Sequence, residues 1–122
     1  MPADWLVPDW PAPANVQAVF TTRVGGVSAP PWDHLNLGDH VGDAPPHVQK
    51  NRQLLQQATG AQAVFLQQVH GCDVIHLDRQ TPDGSRADAC VTREPQLACT
   101  VMVADCLPVL LTTRDGAVVA GA

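Results

Sequence analysis

The sequence predicts an α+β fold built on a mixed or antiparallel sheet, from three observations. Only one segment carries a helical pattern. The second half of the chain reads as a series of short apolar runs separated by turn residues. An Asp115–Gly116 pair between two such runs is a strong short-range hairpin signal. Helices are thus few and strands many, the pattern of an α+β domain rather than of alternating βαβ units.

The elements follow in chain order. Residues 1–15 hold Pro2, Pro8, Pro11 and Pro13 with Trp5 and Trp10, and read as a non-helical lead-in lying across the surface. Residues 16–22, VQAVFTT, alternate with Val16, Ala18 and Phe20 on one face and predict a strand. Thr22 to Pro46 has neither period; a loop of that length inside a compact domain is usually functional. Trp32, Leu35 and Leu37 can pin it to a core, which favours an ordered binding loop. A helix then runs from Pro45 and Pro46, with Asp43 as N-cap, to Gly60 as its stop. Val48, Leu54, Leu55 and Ala58 form its expected buried stripe. From there the chain predicts strands over 63–70, 72–78, 88–92, 98–105 and 108–113, and a last apolar run over 116–122. That run stops mid-strand, so 1–122 is expected to be one domain cut from the N-terminal part of a longer protein.

Charge and composition exclude several function classes. Seven Lys and Arg against twelve Asp and Glu give a formal charge of −5. That balance lacks the cationic face needed by a nucleic-acid or membrane-surface binder. The N-terminus has no basic and apolar leader, and no run is long and apolar enough to span a bilayer. The expected setting is the cytoplasm, where Cys72, Cys90, Cys99 and Cys106 stay reduced.

Two segments place polar, reactive side chains in apolar surroundings. QQVHGCD presents Gln67, Gln68, His70 and Cys72 at the end of one predicted strand. VADCLPV presents Asp105 and Cys106 at the end of another, with Pro108 breaking the ladder. Imidazole and thiolate are donors that zinc prefers, and a catalytic zinc takes three protein ligands and keeps an open position. His70 and Cys106 supply two; Cys72, two residues beyond His70, is a competitor that Gly71 weakens. The same pair also suits a cysteine nucleophile, Cys106, with His70 as its base. HExxH, HxE with PCxxC, GxSxG, GxxxxGK[ST] and GxGxxG are all missing, which removes the usual zinc-protease, nucleobase-deaminase, hydrolase-elbow, P-loop and Rossmann layouts. The five histidines contain no HxH pair, so a multicopper oxidase centre lacks its ligands. In the long loop, Arg23 precedes Gly25 and Gly26, whose backbone freedom lets N–H groups face an anion. Arg52 is a second candidate oxyanion ligand. Asn36 reads either as a loop brace or as a ligand contact.

FTTRVGGVS, LNLGDHVGD, the NR at 51–52, LQQVHG, the ADA at 87–89 and VMVADCLPVLL together resemble, in order, the YfiH-type laccase-domain family. That family is also known as multicopper polyphenol oxidase or peptidoglycan editing factor. The resemblance runs from about Phe20 to the C-terminus. It implies a layered α/β sandwich like that of bacterial cytotoxic deamidase toxins. It also implies zinc-dependent purine nucleoside phosphorolysis, of methylthioadenosine as well, and adenosine deamination, with purine nucleosides and inorganic phosphate as partners. The zinc site it implies uses His70, Cys106 and a histidine of an AHAGWRG motif expected beyond Ala122. Cys72 then drops out as a ligand, and Cys90 and Cys99 are core thiols. Asp105 would orient a ligand or transfer a proton, Arg52 or Arg23 would hold phosphate, and Gln67, Asn36 and Ser28 would touch base or sugar. The remaining expectations are copper in a polyphenol oxidase, a peptidoglycan-precursor editing hydrolase using Cys–His chemistry, or a catalytically incomplete fragment. A monomer or weak oligomer is expected throughout.

Overall fold

The computed structural model describes residues 2–122. They gather into two compact units: the chain up to Asp9 with Ala18–Gly60, and Trp10–Gln17 with Ala61–Ala122. The Pro- and Trp-rich lead-in is thus shared between the two.

The first unit holds one helix, α1 (Pro45–Thr59). Pro45 and Pro46 fill its first turn, where a missing N–H removes a donor that would have no partner in the helix. Gly60 ends it in the left-handed region at φ 70°, its N–H donating to the Gln56 carbonyl. These are the predicted boundaries. The predicted cap is not formed: Ala44 occupies the N-cap position and no side chain caps the helix. Asp43 has been drawn into contacts with the loop instead. The buried face also differs. Val48, Asn51 and Leu55 lie inside, whereas Leu54 and Ala58 are half-buried. Asn51 is therefore a polar side chain standing in the helix's apolar stripe.

The strand expected over 16–22 is reduced to a single antiparallel bridge between Leu6 and Phe20. Their backbones exchange hydrogen bonds of 2.9 and 2.8 Å. The next hydrogen-bonded pair of such a ladder would be Pro8 with Ala18, and proline has no N–H to give. The ladder stops there for that reason.

The second unit contains all six strands: β1 (Gln62–Val64), β2 (Val74–His76), β3 (Ala89–Thr92), β4 (Leu97–Cys99), β5 (Leu110–Thr112) and β6 (Val119–Gly121). Parallel β1 and β4 form one pair, in register from Gln62 with Leu97 to Val64 with Cys99. The other sheet has the order β2-β3-β6-β5, with β2 parallel to β3 and the remaining pairs antiparallel. The α+β class and the mixed sheet are as predicted. So is the β5–β6 hairpin, where Gly116 takes φ 72° and Asp115 Oδ1 accepts the Ala117 N–H at 3.0 Å.

Each strand is shorter than its apolar run, and the reason is visible at 98–105. Past Cys99 the backbone of Met102 pairs with a side chain: the Gln68 amide donates to its carbonyl at 2.9 Å and accepts its N–H at 2.8 Å. A glutamine here replaces a neighbouring strand. The core lies among Val64, Leu66, Leu77, Ala87, Cys90 and Leu97, with Ile75 and Cys99 packed against it. Each buried Val or Leu there contributes about 1.5–3 kcal/mol over leaving it exposed. Among the described residues, no helix is long and apolar enough to cross a membrane.

Candidate functional site

In the second unit the chain leaves β1 and crosses Gln67, which forms an isolated parallel bridge with Arg86. It then turns at Val69–Gly71. His70 sits in the left-handed region at φ 59°, a conformation uncommon for a residue with a Cβ. What holds it there is Asp88. Its Oδ1 accepts the N–H groups of Val69 at 3.0 Å and His70 at 2.8 Å, and its Oδ2 accepts that of Gly71 at 2.8 Å. A side chain at Gly71 would press on that Oδ2 at 3.3 Å. The three donors, Gly71 foremost, hold the Asp88 carboxyl below the ordinary carboxylate range against the opposing effect of burial.

His70 was expected at a strand end; it lies instead on this exposed turn. Asp105 and Cys106 were also expected at a strand end. They lie on an exposed bend that continues into Leu107, itself 87% exposed. The Gln68–Met102 clamp ties the segment two residues before His70 to the segment four residues before Cys106. The Gln67 side chain is exposed.

The first unit shows the opposite arrangement. Ser28, only 2% exposed, donates its hydroxyl to Asp43 Oδ2 at 2.5 Å and accepts from Asn51 Nδ2 at 2.9 Å. Asn36 donates to Gly38 O at 3.0 Å and to Asp43 Oδ2 at 3.1 Å, while its own Oδ1 accepts the Gly38 N–H. Asn51 adds bonds to the Asn36 carbonyl at 2.8 Å and from the Val27 N–H at 2.9 Å. The Asp43 carboxyl is held below its usual range, chiefly by the Ser28 hydroxyl. The Arg52 guanidinium donates through Nε to the Leu37 carbonyl at 3.0 Å and lies 3.8 Å from Asp39. Arg23 has an exposed side chain, and its carbonyl accepts the N–H groups of His34 and Leu35. Gly26 is required where this loop folds back, because a Cβ there would overlap the His34 carbonyl and the Leu35 Cα.

The structure therefore joins Ser28 and Asn36 to Asp43 and Asn51, and it holds the backbone of His70 on Asp88, while Gln67 pairs through its backbone with the segment Ser85–Ala87. Sequence reasoning gave no site role to Asp88, Asp43 or Asn51, and it named Gln68 in QQVHGCD without seeing it as a clamp. Two of these carried a signal: Asp88 as the acid within the ADA at 87–89, and Asn51 falling between Val48 and Leu55 at helical spacing.

For a zinc ion the donor types are suitable: an exposed imidazole and an exposed thiol, neither in a side-chain hydrogen bond among the described residues. Their number is two. Among the described residues, no group of three or more His, Cys, Asp or Glu side chains could hold a metal ion. The thiols of buried Cys90 and half-buried Cys99 are of another kind. Cys99 donates to the Val119 carbonyl, and its thiol is pushed up by its hydrogen bond with Cys90 and by burial.

The family described as "Multi-copper polyphenol oxidoreductase laccase" matches residues 17–122. The chain is 50% identical over 119 residues to "Purine nucleoside phosphorylase YfiH" of Escherichia coli (strain K12), covering 96% of this chain and 49% of that protein. A purine nucleoside phosphorylase of Pseudomonas aeruginosa is also 50% identical, over 97% of this chain and 48% of its own length. Among solved structures, a Neisseria meningitidis protein aligns with TM-score 0.92 at 46% identity, over 98% of this chain and 49% of that one. The chain thus spans about half the length of the relatives it matches.

Proposed function

Because this chain belongs to the multi-copper polyphenol oxidoreductase laccase family, the family that includes the YfiH proteins, we propose that it is part of a purine nucleoside phosphorylase. One observation carries the reading: half of its residues match a protein of that name along nearly the whole chain. The reaction breaks the bond between purine nitrogen and ribose C1′ and forms a bond from a phosphate oxygen to C1′. The purine leaves with a proton, and ribose 1-phosphate remains.

Within this reading, His70 and Cys106 are two of the donors to a zinc ion, and the third comes from outside residues 1–122. When bound, such an ion supplies a Lewis acid and lowers the pKa of bound water. The chain's own contributions are simpler. The Asp88 clamp fixes the turn that carries His70. The Gln68 clamp ties that segment to the one leading to Cys106. Asp105, exposed beside Cys106, is assigned the orientation of a bound ligand or the relay of a proton from solvent to the departing base, and Gln67 a polar contact to base or sugar. Arg23 is assigned the phosphate, because its guanidinium is exposed while that of Arg52 already donates to Leu37. A planar guanidinium forks onto two phosphate oxygens.

The test is direct. Full-length protein given inosine and inorganic phosphate should release hypoxanthine and ribose 1-phosphate, followed by chromatography. The Cys106→Ala variant should be slower by roughly 100-fold or more, the scale on which removing a charge-stabilising group acts. Turnover equal to the parent would discard Cys106, and no hypoxanthine from the parent would discard the phosphorylase reading.

A further inference from the structure

We propose that Asp88 is the positioning residue of His70, aiming the imidazole from the sheet by holding three consecutive backbone N–H groups of the turn. The inference rests on the reading of His70 as a functional donor.

The turn Val69–Gly71 belongs to no strand, so no ladder fixes its direction. Its backbone N–H groups converge instead on one carboxylate, at 3.0, 2.8 and 2.8 Å. Charge-assisted bonds of this kind are roughly twice as strong as neutral ones. Together they offset the cost of holding His70 at φ 59°. The carboxylate is itself well anchored. The N–H groups of Asp88 and Ala89 both donate to the Asp73 carbonyl, and β3 begins at Ala89. The preceding Ala87 is 1% exposed. Asp88 thus transmits the position of the β2–β3 edge to a turn that has no other regular support. With φ of His70 set, so is the direction of its Cα–Cβ bond, and with that the region its ring nitrogens can sweep. Asp88 touches no reacting atom in this arrangement.

The test uses zinc, cobalt and amide exchange on the full-length protein with Asp88→Ala, Asp88→Asn and His70→Ala variants. In Asp88→Ala the zinc Kd should rise about 10- to 100-fold, the range for groups that orient metal ligands. The absorption spectrum of the cobalt-substituted protein should change with it. Asp88→Asn should fall between, since an amide oxygen can accept from Val69 and His70 whereas its NH2 cannot accept from Gly71. It also decides the matter if Asp88→Ala fails to fold. An Asp88→Ala protein with zinc Kd within twofold of the parent and the same cobalt spectrum, while His70→Ala loses zinc, overturns the positioning role alone. If His70→Ala keeps its zinc affinity, the metal reading of His70 falls instead. Amide exchange at residues 69–71 then decides Asp88: faster exchange confined to that turn supports the role, and unchanged exchange overturns it.

Discussion

The loop from Arg23 to Asp43 and the turn at Val69–Gly71 are each held by an aspartate carboxylate, Asp43 in one and Asp88 at the other, used in opposite ways. In the loop, the side chains of Ser28, Asn36 and Asp43 are already hydrogen-bonded to one another and to Asn51 of α1. At the turn, Asp88 engages backbone N–H groups and leaves the His70 imidazole at the surface; Cys106 stands equally exposed on its bend. Buried polar groups are nearly always satisfied inside the protein, so a buried polar cluster shapes its loop, whereas an exposed donor on a braced turn remains able to meet something else. Residue type alone does not separate these cases; the hydrogen-bond inventory does.

The contrast is broken most forcefully at Asn51, which has no exposed surface. Replacing it by alanine removes the partners of the Val27 N–H, the Ser28 hydroxyl and the Asn36 carbonyl together. Each buried group left unpaired costs about 1–3 kcal/mol. Ser28 keeps its bond to Asp43, so the expected loss for Asn51→Ala is about 3 kcal/mol, read from urea unfolding. A loss under about 1 kcal/mol would mean that the loop is held by something other than this network.

Acid sharpens the same comparison. The Asp43 carboxyl titrates below its ordinary value because the Ser28 hydroxyl, then Asn36 and the Ala44 N–H, favour its charged form. A depressed folded-state pKa gives stability that is fully present above the unfolded value, about 3.9. That stability disappears as pH falls through the lower folded value. Asp43→Asn should therefore cost stability at pH 6 and progressively less below about pH 4, where the parent loses the same contribution. Unfolding curves taken from pH 6 to pH 2 check this. A difference that stays constant to pH 2 would show that the charge of Asp43 does not matter to the loop.

Much of the fold was legible where one residue dictates local geometry. Pro45, Pro46 and Gly60 gave both helix boundaries, and Asp115–Gly116 gave the hairpin. Legibility failed where a distant group decides. The strand at 16–22 fails because its partner would be Pro8, and the run at 98–105 leaves the sheet because Gln68, thirty-four residues earlier, takes the place of a strand. Asp43 loses its capping role to Ser28 for the same kind of reason. At the candidate site, His70 and Cys106 stood out by their chemistry within apolar runs. The left-handed turn under His70 was not legible, because its support comes from Asp88, eighteen residues further on.

The smallest expected effect is the most discriminating. Cys106 lies exposed between exposed neighbours, Asp105 and Leu107. Surface substitutions away from special features usually change stability by less than about 0.5 kcal/mol. Cys106→Ser, which nearly preserves shape, should leave the urea unfolding curve within that range, beside the large shift in Asn51→Ala. A site held available for an outside ligand tolerates this change in the fold while losing its soft donor. If Cys106→Ser instead costs 1 kcal/mol or more, the thiol is packed into the protein as Ser28 is. The division between an inward-facing loop and outward-facing donors would then not hold for this residue.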